Sequence, residues 1–319
     1  MVNIEFRKLI KFGKNSIVIS LPNKWITKNK LKKGDSVSVE DMGDGLYVSA
    51  GSMNDDAEEK RITINIDKKD IDLIRIEVIS SYLNNYETIE IIGKDLTERA
   101  EEIKEIVRSL SGIEVIHQTS TKIVAKDILD DRSISIEIMI KRIDMIVRGM
   151  IDDSIQTINK DLYTSVFQRD VDVNRLVFLT YRVLRNALSN SRVANSLDLK
   201  PVDILRNWLV IESLEQIGDH NKRIARSLSK GLNKGCNKRQ LEKLYLDLKK
   251  TYVDVMNAYY KNNKESAFMI ELKSKERVDA LDEYIEKNEP CETLSRVIKN
   301  MKSMSSSIKS IARTVIGTE

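Results

Sequence analysis

Glu215-Gln216-Ile217-Gly218-Asp219-His220 brings together two carboxylates, a glycine and an imidazole inside a strong helical pattern. Glu215 and Asp219 are four apart, so on a helix both carboxylates lie on one face. Gly218, between them, costs a helix interior about 1 kcal/mol relative to alanine, so something must want the space. His220 is one of two histidines in the 319-residue chain. Two readings fit these residues. In one, Gly218 admits a close helix crossing and Asp219 pairs with Arg223 one turn on, at a solvated surface. In the other, the carboxylates and His220 are a half-site for a cation. Hydrolytic catalysis finds no support. His117 falls in an expected strand, and His220 has no serine or cysteine partner at a recognised spacing, so no catalytic residue is assigned and no enzyme is expected.

A second group of able residues lies at the other end. Residues 1–33 hold Arg7, Lys8, Lys11, Lys14, Lys24, Lys28, Lys30, Lys32 and Lys33 against the single acid Glu5, a net +8 in a chain whose total is +4. Such asymmetry is the footprint of a segment that meets a polyanion while the rest of the chain does not. Arg7, Lys8, Lys11, Lys14 and Lys24 are the expected contacts to double-stranded DNA, with Asn15 able to add a backbone or base contact. Binding of this kind weakens steeply with salt. Trp25 is assigned to packing rather than to base stacking.

The elements that must position these residues follow from pattern. In the first fifty residues Ser16 to Leu21 alternates as a strand, preceded by a turn at Phe12-Gly13-Lys14-Asn15 and ended by Pro22. A helical turn around Trp25-Ile26 follows, then a turn at Lys33-Gly34-Asp35, and a hairpin at Gly43-Asp44-Gly45 joining Val37-Ser38-Val39 to Leu46-Tyr47-Val48. So short a segment does not easily bury its own core, which predicts a dimer interleaving two copies. Residues 49–60 are small, polar and aperiodic, a linker. From 61 to 130 the order is strand, helix 68–84, strand 88–92, helix 95–110, then strands near 113–116 and 123–125, a small α/β layer without a phosphate cradle or nucleophile.

From Asp131 the pattern is helical throughout. Ile134, Ile138, Ile143, Ile146, Met150 and Ile158 form an apolar stripe on a first helix. A second helix is expected over about 170–190 and a third after Pro201, with Leu214, Ile217, Ile224 and Leu228 buried. Helices near 238–264, 268–288 and 291–316 repeat the trio, Pro290 opening the last as Pro201 opens the third. The expected fold class is therefore multidomain α+β: a β domain over 1–50, an α/β domain over 61–130, and two tandem three-helix bundles over 131–230 and 237–319. No apolar run approaches the ~20 residues of a membrane span, and Met1-Val2-Asn3-Ile4-Glu5 lacks a signal pattern, so a soluble cytoplasmic protein is expected. Cys236 and Cys291 are too few and too distant for a disulfide framework and read as free thiols.

Leu214 to His220, followed by Ile224-Ala225, resembles the Leu-Glu-Arg-Ile-Gly-Asp-His type signature of the PhoU family of phosphate-uptake regulators, and the resemblance extends over roughly 131–319. Arg7-Lys8-Leu9, Gly13-Lys14-Asn15-Ser16, Leu21-Pro22-Asn23-Lys24-Trp25 and Leu31-Lys32-Lys33-Gly34-Asp35 resemble the AbrB/SpoVT DNA-binding domain, a swapped-hairpin dimer. Archaeal PhoU-like proteins combine these two parts around an α/β middle. The PhoU resemblance implies Glu/Asp-x-x-x-Asp motifs on facing helices that gather metal ions. Glu215 and Asp219 match one motif in full. Asp170 matches the first position of another, but Asn174 stands at its second, and Asp172 is off register. In the second trio the matching positions are Lys275 with Asp279 and Lys302 with Ser306, neither a carboxylate clamp. The resemblance thus implies at most one site, in the first bundle, from Asp170, Glu215, Asp219 and His220, for a divalent metal or iron. It further implies a homodimeric DNA-binding regulator of phosphate homeostasis, with a phosphate ABC transporter ATPase as a further partner. An adaptor that modulates the transporter without DNA, or an antitoxin-like repressor, are the alternatives.

Overall fold

The computed structural model describes residues 5–14, 16–41, 45–50, 59–233, 235–289 and 291–317. Asn15, the Gly43-Asp44 tip of the expected hairpin, residues 51–58 of the expected linker, and Pro290 lie outside the described residues. The chain divides into two units, Met1–Glu59 and Lys60–Glu319.

The first unit contains two small antiparallel sheets. β1 (Ile10–Phe12) pairs with β2 (Ser16–Val18), with Ile10 opposite Val18 and Lys11 opposite Ile17. Gly13 in the intervening turn takes a left-handed φ of 69°, a conformation glycine adopts without penalty. β2 stops at Val18, short of the Leu21 expected, and the chain runs on to Pro22, which caps α1 (Asn23–Lys28). β3 (Val37–Asp41) then pairs with β4 (Leu46–Ala50). Among the described side chains of residues 5–39 and 45–50 none is buried. Phe6 is 98% exposed and Phe12 69%.

In the second unit β5 (Arg61–Asn65), α2 (Ile71–Leu83), β6 (Thr88–Ile92), α3 (Leu96–Arg108), β7 (Ile113–Gln118) and β8 (Lys122–Asp127) build a mixed sheet in the order β5-β6-β8-β7, with only β5 and β6 parallel. Ile64, Ile74, Val78, Ile89, Ile91, Ile103 and Ile106 form its core. His117 is exposed on the edge strand β7.

The helical region comprises α4 (Ile136–Gln156), α5 (Tyr163–Ser189), the short α6 (Ser191–Ser196), α7 (Pro201–Leu228), α8 (Lys238–Tyr260), α9 (Lys264–Leu272), α10 (Ser274–Glu286) and α11 (Glu292–Ile316). Leu214, Ile217, Ile224 and Leu228 are buried on α7, whereas Ile138 is 55% exposed because the buried stripe of α4 runs through Ile136, Ile140, Ile143 and Val147 instead. The two trios share one continuous apolar core, and α11 lies along α7. The single helix expected near 268–288 is broken at Lys273, where Arg277 Nη2 donates to the Ile270 carbonyl at 2.6 Å and satisfies the end of α9. No helix among the described residues is long and apolar enough to cross a membrane.

Candidate functional site

The basic residues of the first unit stand at its surface. Lys8 precedes β1, Lys11 lies on it, Lys14 follows Gly13 in the turn, and Lys24 sits in the first turn of α1; all four are exposed. Arg7 is exposed as well and pairs with Glu5. The turn at Lys32–Asp35 closes through Asp35 Oδ2, which accepts from the Lys32 amide at 2.7 Å, with Gly34 left-handed at φ 101°. Opposite residues of an antiparallel pair share a face. One face of the β1–β2 hairpin therefore carries Ile10, Phe12 and Val18, the other Lys11 and Ile17.

In the helical region the carboxylates fall where α5 packs on α7. Asp170, buried on α5, and Asp219, on α7, are both held by one ammonium. Lys222 Nζ donates to Asp170 Oδ2 at 2.6 Å and to Asp219 Oδ1 at 2.7 Å. Arg223 Nη2 takes the other Asp219 oxygen at 2.9 Å, the i,i+4 pairing anticipated from sequence. Asn174 Nδ2 donates to Asp170 Oδ2 at 3.4 Å, a weak contact. Burial opposes the Lys222 charge, yet its bonds to Asp170 and Asp219 outweigh this and hold its pKa above the ordinary lysine value. Glu215 is half-buried with no hydrogen-bond partner among the described residues; burial, then the Asp219 and Asp170 charges, push its carboxyl pKa up.

His220 turns away from this cluster. Its Nδ1 lies 3.0 Å from Asn300 Oδ1 on α11, and Asn300 Nδ2 donates to the Arg296 carbonyl at 2.7 Å, so the imidazole carries its proton on Nδ1. Burial lowers its pKa, which favours the neutral ring. The expected metal set therefore does not fit as arranged. The ammonium of Lys222 occupies the gap between Asp170 and Asp219 that a bridging cation would need, and His220 points at the second trio. Among the described residues no group of three or more His, Cys, Asp or Glu side chains converges to hold a metal. Gly218 also differs from its expected role. A Cβ there would stand 3.7 Å from the Met150 sulfur and 3.8 Å from Val173, ordinary contact rather than a clash. The residue that motif spacing missed is Lys222; three positions after Asp219 and seven after Glu215, it falls on the same helix face.

With the geometry in place, comparison with known proteins adds two family matches. Residues 140–228 match the PhoU domain. This stretch spans most of α4, all of α5 and all of α7 with the Lys222 cluster. Residues 10–55 match the family described as antidote-toxin recognition MazE, bacterial antitoxin, which covers β1 to β4. No curated protein matches the chain. Among solved structures, the crystal structure of PhoU from Pseudomonas aeruginosa is similar at 14% identity with a TM-score of 0.49, covering 57% of this chain and 93% of that one. The PhoU segment is the part that carries the carboxylate cluster, and the MazE segment the part that carries Lys11, Lys14 and Lys24.

Proposed function

We propose that the chain is a cytoplasmic, homodimeric DNA-binding regulator of phosphate uptake, in which the N-terminal unit contacts the duplex and the helical region relays phosphate status. One observation carries the reading. A strongly basic unit that buries none of its described side chains heads a chain whose helices match the PhoU domain. A second copy would cover the Ile10, Phe12 and Val18 face and double the charge presented to phosphates. The PhoU match favours phosphate as the regulated process and a phosphate ABC transporter ATPase as a further partner; that step is by family analogy. The Lys222 pairing favours a bundle that keeps Asp170 and Asp219 neutralised by an ammonium in place of a bridging metal.

The test is a mobility shift on duplex fragments over a range of salt. Log affinity should fall linearly with log salt, and Lys8→Glu with Lys11→Glu and Lys14→Glu should weaken binding by more than about tenfold. Unchanged affinity in that variant sinks the duplex reading and favours the adaptor, for which capture of the transporter ATPase is the readout. The MazE match favours a second reading, an antitoxin-like repressor; co-purification of a toxin encoded beside this chain would select it.

A further inference from the structure

The side of α7 beyond the carboxylate cluster opens on a feature that the duplex and phosphate-relay readings do not use. His220 meets Asn300 and Ser307 Oγ donates to Gln216 Oε1 at 3.0 Å, so α7 and α11 run antiparallel and the C-terminal end of α7 lies beside the first turns of α11. Between them is a cleft of about 480 Å³, lined by Arg223, Arg226 and Lys230 from one side and Arg296 and Lys299 from the other. That volume is within the range of small-molecule sites.

Among the described residues no acid lines the cleft. Asp219 holds Arg223, and Glu292 holds Arg296 at 2.5 Å. The side chains of Arg226, Lys230 and Lys299 have no ion-pair or hydrogen-bond partner among the described residues. The remaining polar lining is already spent: Ser227 Oγ donates to the Arg223 carbonyl at 2.8 Å, and the Asn300 amide is committed to His220 and the Arg296 carbonyl. Recognition at this place therefore falls to guanidinium and ammonium groups alone. A helix C-terminus welcomes cations, which accounts for Arg226 in the last turn of α7. It gives no reason for Arg296 and Lys299, which stand in the N-terminal third of α11, the positive end of that helix. Arg226, Lys230 and Lys299, unpaired, line one cleft with the paired Arg223 and Arg296, and their summed field favours an anion there.

We propose that the α7–α11 cleft binds a compact anion carrying several phosphoryl groups. Three cations with unpartnered side chains line the cleft, and a ligand that neutralises all of them carries more than one negative charge. The arginine forks match the spaced oxygens of a phosphoryl group, with the lysines adding point charge. A concave pocket between two helices suits a short polyphosphate better than the convex surface of a duplex. The site is distinct from the N-terminal unit, so it stands whether or not that unit binds DNA.

Calorimetric titration of the full chain with sodium tripolyphosphate at about 0.15 M salt tests it. The background is Lys8→Glu, Lys11→Glu and Lys14→Glu, which cuts the net charge of residues 1–33 from +8 to +2 and so weakens that segment as a competing site. One tripolyphosphate should bind per chain, and Arg226→Ser with Lys299→Ser should weaken binding at least about tenfold. Both side chains are exposed, so the unliganded Tm should not change, while tripolyphosphate should raise the Tm of the parent and not of the variant. Absence of binding, equal affinity in the variant, or a variant that instead loses affinity only for duplex DNA or for vesicles of anionic lipid would overturn the proposal.

Discussion

Glu215 is an uncompensated acid on α7. It sits half-buried beside Asp170 and Asp219, whose charges Lys222 and Arg223 satisfy, and receives no hydrogen bond among the described residues itself. Its folded-state pKa is therefore raised above the ordinary carboxylate value by burial and by its two acidic neighbours. A carboxyl raised in the folded state binds its proton more tightly there than in the unfolded chain. Its contribution is favourable below the unfolded pKa and is lost as pH rises through the folded one. Glu215→Gln should accordingly be more stable than the parent at neutral pH, with the difference shrinking to nothing as pH is lowered through the ordinary carboxylate range. Urea denaturation across pH 4 to 8, roughly the span of that titration, measures it. A variant less stable at pH 7 would mean that Glu215 is engaged by a cation after all. The sequence made both carboxylates and Arg223 legible, because helical spacing fixes which residues share a face. It did not reveal Lys222 as the bridging ammonium, since Asp170 comes from another helix and a lysine two positions beyond a motif reads as surface charge.

At the scale of elements, the long helices were legible where apolar residues repeat and opaque where propensity misleads. α5 starts at Tyr163 rather than near Asp170 because its first turns, rich in aromatic and β-branched residues, have little intrinsic helix preference and are held by packing and by Asp161 Oδ1, which accepts from the Tyr163 amide at 2.9 Å. The break between α9 and α10 has no glycine or proline to announce it; a side chain, Arg277, ends the first helix. Buried charge was the other blind spot. Asp144 on α4 accepts from Tyr252 at 2.7 Å and Tyr260 at 2.9 Å and so ties the two trios together, yet in sequence it reads as a solvated acid. Arg182, 2% exposed, joins α5 to Asp127 of β8 and lies over the Tyr82 ring. Gly218 yields a prediction at this scale, since α4, α5 and α7 meet there. Ordinary 3.7–3.8 Å contacts await a Cβ. Gly218→Ala should then stabilise by about 0.5–1 kcal/mol, chiefly by narrowing the unfolded ensemble. Thermal unfolding should move up by about 1–4 °C. A lower Tm would show that the three helices need a closer approach than these distances describe.

For the whole molecule, the two units solve the problem of burial in opposite ways. Lys60–Glu319 buries a sheet core and a bundle core within one copy, whereas among the described side chains of Met1–Glu59 none is buried. A segment of this size, with Phe12 69% and Ile10 55% exposed on one hairpin face, gains little by folding alone. Pairing with a second copy would bury that face by the hydrophobic effect, and it would place two sets of Lys8, Lys11, Lys14 and Lys24 on one particle for a polyanionic duplex to meet. Stability of the N-terminal unit and affinity for DNA should therefore fail together. Phe12→Asp with Val18→Asp in the full chain puts charge on the apolar face without touching a lysine. Its mass by analytical ultracentrifugation should shift towards the monomer, or towards dimers held by the helical region alone, and duplex affinity should fall by more than about tenfold. Helical circular dichroism and the main thermal transition, which report Lys60–Glu319, should stay where they were. Duplex affinity kept in full by that variant would separate DNA contact from pairing and return the basic unit to a solvated surface.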